Sequence, residues 1–127
     1  MNNIQSFFKD VYHNFNHRNI DLVIANMTDD VQWANGVDGG YVYGHDGVYE
    51  YWTKQFELVS SNVTPLDIDE KNNFVSIKVR QVIHDMNGNV LSDGIVHHFF
   101  TLKNGKIARF DIGERVDVAL KNLNYLP

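Results

Sequence analysis

The spacing of apolar residues changes once along this chain, near residue 60. Before that point they recur at every third or fourth position, which is the period of a helix with one buried face. After it they alternate with polar residues, as in strands that bury one side. Helices first and strands afterwards are typical of the α+β class, in which helices pack on one face of a mainly antiparallel sheet.

Three helices are predicted in the first half of the chain. The first spans residues 4–15 and carries six large apolar side chains on one face. Asn19 is placed to cap a second, shorter helix over residues 20–27. Asp46 is placed to cap a third helix, whose apolar stripe runs over residues 48–59.

Two Asn-Gly dipeptides, Asn87-Gly88 and Asn104-Gly105, predict the tight turns of an antiparallel meander. The glycine-rich stretch 36–44 is predicted to be a loop or an edge hairpin. Pro65 precedes a segment that we expect at the sheet edge, where proline removes no ladder hydrogen bond. The predicted strands are residues 31–35, 66–69, 74–84, 90–102 and 106–114.

The Asn104-Gly105 turn allows two strand registers. A two-residue turn pairs Lys103 with Lys106 and points Arg109 and Asp111 toward the helices, where unpaired charges are costly to bury. A three-residue turn with a glycine bulge sends both charges to the other face, and we favour it for that reason. It gathers these side chains on the inner face: His98, Phe100, Leu102, Ala108, Phe110 and Ile112.

His98 is the candidate catalytic residue. On the inner face it lies among aromatic side chains, and loss of hydration there would lower its pKa and keep the ring neutral near pH 7. Such a ring can accept a proton as a general base. The alternative is a core histidine that is hydrogen-bonded to a tyrosine, to Gln81 or to the backbone.

The candidate ligand-binding residues combine polar groups with aromatic rings. The polar side chains would hydrogen-bond a carbonyl or hydroxyl group of a bound molecule, and the aromatic rings would supply apolar contact. Each has an alternative role, since the polar groups could satisfy strand ends and the aromatic rings could fill the core. The residues are Tyr12, Trp33, Asn35, Tyr43, Trp52, Phe56, Gln81, Phe100 and Phe110.

Composition argues against several classes of protein. The net charge of -5 does not suit binding to a phosphate backbone, and no apolar run approaches the length of a membrane span. The chain contains no cysteine, His13 and His17 lack the glutamate of a zinc-protease motif, and no phosphate-binding glycine loop occurs. We therefore expect a single cytoplasmic domain over residues 1–127, without nucleic acid, membrane, metal or cofactor.

Four stretches of this sequence resemble the SnoaL-like group of the nuclear transport factor 2-like superfamily. The resemblance implies a cystatin-like α+β barrel, in which three N-terminal helices pack on a strongly curved, mainly antiparallel sheet that forms a cone with an internal pocket. The stretches are residues 18–30 (RNIDLVIANMTDD), 31–35 (VQWAN), 44–52 (GHDGVYEYW) and 98–109 (HFFTLKNGKIAR).

Comparison with the ketosteroid isomerases of this superfamily shows how little of their chemistry is kept. The resemblance implies that Asn35 stands where they have a general-base aspartate, and an amide cannot act as that base. Val11, with Tyr12 beside it, matches their first-helix tyrosine, and His98 matches their protonated aspartate. Trp52 matches a tyrosine of their pocket wall and keeps it aromatic.

Three functions fit these expectations. The first is a cofactor-independent isomerase, cyclase or dehydratase, the second a binder of a small, largely apolar molecule, and the third a dimeric interaction module. A pocket of several hundred cubic ångströms would favour the first two, and a cavity filled by its own aromatic side chains the third. The resemblance also implies a homodimer through the outer sheet face, where we expect Val82, Val96, Phe99 and Ile107.

Overall fold

Three helices pack against one face of a curved six-stranded sheet in the computed structural model, which describes residues 4–36 and 38–113. The helices are α1 (Ile4–Asn16), α2 (Ile20–Ile24) and α3 (Gly44–Leu58). The strands are β1 (Met27–Ala34), β2 (Tyr41–Tyr43), β3 (Ser60–Lys71), β4 (Phe74–His84), β5 (Val90–Lys103) and β6 (Lys106–Ile112).

The strand order in this part of the chain is β2-β1-β6-β5-β4-β3. All neighbouring strands run antiparallel except β1 and β6, which are parallel. The predicted α+β class and mainly antiparallel sheet are confirmed, and the glycine-rich stretch forms the predicted edge hairpin between β1 and β2. Within the described ranges, no helix combines the length and the apolar character needed to cross a bilayer.

Helix α1 follows its predicted apolar stripe. Phe8, Val11, Tyr12 and Phe15 are buried against the sheet and the other helices. Asn16 fixes the end of the helix to β3, because its amide donates to the carbonyl of Val63 at 2.8 Å and accepts from the Val63 N–H at 2.9 Å. These two hydrogen bonds hold the C-terminal end of α1 against β3.

Two predicted helix boundaries are wrong: the end of α2 and the start of α3. Helix α2 ends at Ile24, and Met27 is the first residue of β1. The spacing of Met27 from Val23 and Ile24 would also suit a helix. Asn19 occupies the N-cap position of α2 as predicted, but its side chain makes no capping hydrogen bond. Helix α3 is preceded directly by Tyr43, so Asp46 lies in the first helical turn and is not the cap.

The turn between β5 and β6 has two residues, so the favoured three-residue turn is wrong. Lys103 pairs with Lys106, and Asn104 and Gly105 have φ values of 53° and 79°, as the tight turn requires. The bulge lies further along β6, where Ala108 has no partner between two successive pairs. The tight turn at Asn104-Gly105 and the bulge at Ala108 are therefore separate features.

The displaced bulge changes which side chains of β6 face inward. His98, Phe100, Phe110 and Ile112 share the inner side as predicted, because the register recovers beyond the bulge. Ile107 pairs with Leu102 and is fully buried, whereas we expected it on the outer face. Val96 is also fully buried, which corrects its predicted outer position.

Strand β3 begins at Ser60 and extends well beyond the predicted residues 66–69. It lies at the sheet edge, where Pro65 is tolerated, and the pairing with β4 shifts by one residue around Leu66. The early part of the strand turns Ser61 and Val63 inward. The inner face of β4 is as predicted, with these buried side chains: Val75, Ile77, Val79, Gln81 and Ile83.

Candidate functional site

A small cavity lies between the three helices and the inner face of the sheet. Its volume is about 20 Å³, which is room for one water molecule. Every described helix and four strands contribute to its wall. The lining residues are Val11, Tyr12, Phe15, Val23, Trp33, Trp52, Val63, His98, Phe100 and Phe110.

Tyr12 and His98 form a polar pair in this apolar lining. The Tyr12 hydroxyl oxygen lies 2.8 Å from His98 Nδ1, and the two rings are nearly parallel, with centroids 5.9 Å apart. Both side chains are buried. The polar atoms of these two lining residues are therefore bonded to each other, and the surface open to the cavity is apolar.

Burial sets the protonation state of the pair. Loss of hydration raises the pKa of Tyr12 well above its ordinary value of 10.0. The same effect, with a smaller contribution from neighbouring His97, lowers the pKa of His98 from 6.5 to about 3. Both groups are neutral at pH 7.

The neutral pair can present a hydrogen-bond donor in either of its two arrangements. If the Tyr12 hydroxyl donates to Nδ1, the imidazole proton is on Nε2. If Nδ1–H donates instead, the hydroxyl proton of Tyr12 is left for another acceptor. A guest with an acceptor oxygen is thus a chemically suitable partner for the pair.

Aromatic rings make up most of the remaining wall. Trp33 stacks on Phe110 with centroids 4.1 Å apart and meets Trp52 edge to face at 5.0 Å. The Nε1 atoms of both tryptophans are buried without a hydrogen-bond partner among the described residues. Phe100 packs on Phe110 at 5.1 Å.

The structure brings six of the ten predicted site residues together around this cavity: Tyr12, Trp33, Trp52, His98, Phe100 and Phe110. It also adds Val11, Phe15, Val23 and Val63 to the wall, none of which we predicted as site residues. Val11 and Phe15 could have been predicted as lining residues, because both lie on the apolar face of α1 next to Tyr12. Val63 could not, because its strand was predicted to begin later.

The other four predicted residues lie outside the cavity wall. Phe56 packs on the far side of Phe15, with ring centroids 5.4 Å apart. Gln81 is one strand away from Val63 and donates to the hydroxyl of Ser61 at 3.3 Å. Phe56 and Gln81 therefore do not line this cavity, and their role in ligand binding stays a prediction.

Asn35 and Tyr43 are placed at the β1–β2 hairpin. The Asn35 side-chain oxygen accepts from the Asp38 N–H at 2.9 Å, and the residue lines a surface groove beside α3. Tyr43 is 64% exposed. Both are at the sheet edge, away from the Tyr12–His98 pair.

Metal-ligating side chains do not converge in the described part of the chain, where no group of three His, Asp or Glu residues could hold an ion. His13 and His17 lie on the exposed side of α1, and a ring nitrogen of His17 is 2.9 Å from the His13 carbonyl oxygen.

Comparison with known families places this architecture. The SnoaL-like domain model matches residues 8–110. The chain belongs to the SnoaL-like domain family. This SnoaL-like domain has the fold of the nuclear transport factor 2-like superfamily, and a search of curated proteins finds no match to it.

Solved structures agree with this SnoaL-like fold. TerC, co-crystallised with polyporic acid, is 22% identical with a TM-score of 0.77, over 90% of this chain and 92% of its own. An NTF2-like protein of unknown function from Burkholderia pseudomallei is 21% identical with a TM-score of 0.79, over 89% and 91%. A putative polyketide cyclase from Sinorhizobium meliloti is 17% identical with a TM-score of 0.70, over 82% and 94%. At these identities the likeness establishes the fold.

Proposed function

We propose that this SnoaL-like domain binds a small, largely apolar molecule between its helices and sheet, with the Tyr12–His98 pair as the polar contact. The observation that carries the proposal is the position of the pair, hydrogen-bonded at 2.8 Å within an otherwise apolar lining. Burying two polar side chains costs free energy that apolar residues would not cost. Hydrogen bonding to a ligand would explain why these two polar side chains are buried here.

The chemistry of the pair favours binding over proton abstraction. A general base works best when its pKa is near the working pH, and that of His98 is lowered to about 3. As neutral groups, Tyr12 and His98 are better suited to hydrogen-bond an oxygen on the guest, including one that gains negative charge during a reaction. Isomerase, cyclase or dehydratase chemistry with His98 as its base is therefore the less favoured form of the proposal.

The size of the cavity favours a second candidate function. At about 20 Å³ it is filled almost completely by its own side chains, the condition expected of a dimeric interaction module. For a ring-sized guest, some of the aromatic side chains in the wall must move. The structural relative that was co-crystallised with polyporic acid supports the ligand-binding candidate as the first choice.

Native mass spectrometry of the purified protein tests the two candidates. We expect a fraction of the protein to carry a small molecule. A Val63→Phe variant should lose that molecule because the added ring occupies the cavity. Thr64→Phe, one residue along the same strand with an exposed side chain, should retain it. If none of the three proteins carries a molecule, or all three carry the same one, the interaction module becomes the better conclusion.

We also propose that two copies associate through the outer sheet face. Phe74 is 46% exposed there and stacks on Phe99, with ring centroids 5.9 Å apart. Ile95 is half-buried beside Arg80, whose guanidinium pairs with Asp93 at 2.6 Å. Apolar side chains among paired charges are typical of a protein interface.

The mass of the protein in solution tests this association. Light scattering after gel filtration should give the mass of two chains for the native protein and of one chain for Ile95→Glu, since a carboxylate at the interface is costly to bury. Leu22→Glu is the control, because Leu22 is 56% exposed on α2, away from the sheet face. A native protein with the mass of one chain would contradict the proposal.

A further inference from the structure

One guanidinium group lacks an acidic partner in the part of the chain that the structure describes. Of the three arginines there, Arg80 and Arg109 are exposed and pair with Asp93 at 2.6 Å and with Asp111 at 2.7 Å. Arg18 is half-buried, and no carboxylate of the described residues lies within ion-pair distance of it. The most buried of these three charges is therefore the one without a counter-charge.

Arg18 ends helix α1 in a backbone conformation that suits glycine. Its N–H donates to the carbonyl of Phe15 at 3.0 Å, and the N–H of Asn19 donates to the carbonyl of Asn14 at 2.8 Å, as in a Schellman motif. This motif needs a left-handed residue, and Arg18 has φ of 63°. Glycine adopts that conformation without the steric cost that arginine has. The side chain of Arg18, rather than its backbone, therefore explains an arginine at this position.

The guanidinium group of Arg18 is held in one orientation by three elements of the fold. It lies over the ring of Phe56 on α3, with Cζ 4.1 Å from the centroid. Nη1 donates to the carbonyl of Phe15 on α1 at 3.0 Å, and Nη2 donates to the hydroxyl of Ser60 on β3 at 3.0 Å. A guanidinium has five N–H donors, so three have no partner among the described residues. A fixed planar group with spare donors is pre-organised to bind an oxyanion.

Two neighbouring side chains add neutral donors. The Ser60 oxygen accepts from Arg18, which leaves its own O–H to donate. His84 is the cross-strand partner of Ser60, so the two side chains project to the same side of the sheet, and an imidazole offers an N–H in either tautomer. One permanent positive charge with neutral donors matches a carboxylate, which has a single negative charge. A phosphate dianion would keep one negative charge without a partner.

We propose that Arg18, Ser60 and His84 form a carboxylate-binding site at the corner between the end of α1 and the edge of the sheet. The site goes beyond the proposed function and does not depend on it, because none of these three residues lines the cavity. Partial loss of hydration, which lowers the pKa of Arg18 below its ordinary value, strengthens the attraction of its charge for an anion. The carboxylate belongs to a small organic acid or to an acidic side chain of a protein.

Four probes test the chemistry of the site: benzoate, benzamide, the α-amide of N-acetylglutamic acid, and inorganic phosphate. The Nε–H resonance of Arg18 in a ¹⁵N-labelled sample, assigned by its absence from Arg18→Gly, reports binding. We expect benzoate to move this resonance and benzamide to bind at least tenfold more weakly, because it has no charge. Tighter binding of benzoate than of the glutamate probe identifies a small acid as the occupant, and the reverse identifies a protein side chain. Tighter binding of phosphate than of either carboxylate would overturn the proposal.

Substitution of Arg18 separates binding from folding. Arg18→Gly places the residue that the turn prefers and should weaken benzoate binding at least tenfold, as the loss of charge-assisted hydrogen bonds implies. Arg18→Lys keeps the charge without the planar fork and should weaken binding about threefold. Ser60→Ala, which removes one neutral donor, should weaken it about twofold. The matched control is Lys9→Gln at an exposed position on α1, which removes the same charge and should leave the affinity unchanged.

Two results would overturn the proposal. The first is a native protein whose Arg18 resonance does not respond to benzoate, and the second is equal affinity of the native and Arg18→Gly proteins for benzoate. Val63→Phe, which fills the cavity, should respond at Arg18 as the native protein does. A cavity that binds no ligand therefore leaves this site unaffected, whereas loss of the response in Val63→Phe would place benzoate in the cavity and contradict the proposed site.

Discussion

Replacing Phe110 by alanine should lower the free energy of unfolding by about 3–5 kcal/mol. Phe110 is fully buried, with its ring centroid 4.1 Å from that of Trp33 and 4.9 Å from that of His98. Truncation removes these contacts and enlarges a cavity that the ring already lines. Urea unfolding followed by tryptophan fluorescence measures the loss as a lower midpoint at unchanged slope.

Tyr43 provides the matched control for this prediction. It lies on β2 of the same sheet but is 64% exposed, so Tyr43→Ala should cost about 1 kcal/mol or less. The enlarged cavity of Phe110→Ala should also bind benzene, which would raise the melting temperature of that variant alone. Equal destabilisation by the two substitutions would contradict the packing described for Phe110.

Stability should fall as the pH is lowered from about 6.5 toward 4. The folded protein keeps His98 neutral with a pKa of about 3, whereas the unfolded chain protonates it near its ordinary value of 6.5. Between these values the unfolded state binds one more proton, so the free energy of unfolding decreases by about 1.4 kcal/mol for each unit of falling pH. Above pH 6.5 this contribution is fully present.

Substitution of His98 isolates this effect from other titrations. The pKa of Asp93 is lowered from 3.8 by its hydrogen bond to Arg80, so that carboxylate loses its stabilising effect only at lower pH. His98→Gln should reduce the slope between pH 6.5 and 4, measured as urea midpoints at several pH values. Thr53→Gln, at an exposed position on α3, should leave the slope unchanged because it removes no titrating group. A native slope equal to that of His98→Gln would contradict the pKa assigned to this ring.

The fold could be predicted largely because its strongest signals are local. The apolar stripe of α1 and the two Asn-Gly turns depend on residues close together in the chain. The predictions were weakest at the edge of the sheet. Ser60 to Thr64 show little apolar alternation because Ser61, one of their two buried residues, is polar, and Pro65 interrupts the pattern.

The bulge at Ala108 shows a different limit of sequence reasoning. The three-residue turn is favoured from the sequence because it keeps Arg109 and Asp111 out of the core. In the structure both residues do lie on the outer side of the sheet. A two-residue turn with a bulge further along β6 satisfies the same condition. Binary patterning therefore predicted the inward placement of His98 but not the inward placement of Ile107.

The candidate site was predicted where strand parity decides the direction of a side chain. His98, Phe100 and Phe110 followed from alternation along β5 and β6. The positions of Asn35 and Gln81 relative to the cavity depend on distances between helices and strands. The spacing of apolar residues along the chain does not predict such distances. The Tyr12–His98 hydrogen bond joins residues 86 positions apart, and only packing of α1 on the sheet brings them together.

The parallel pair in the sheet has a consequence for how this chain is made. β1 contacts β6 through partners such as Met27 and Ile107, which are roughly 80 residues apart, so the sheet closes late during synthesis. In a nascent chain that stops before residue 106, β6 is missing from its place between β1 and β5. These two strands are then exposed edge strands rather than parts of one continuous sheet. Exposed edge strands readily pair with strands of other molecules. Completion of the β5–β6 hairpin therefore protects the newly synthesised protein from aggregation.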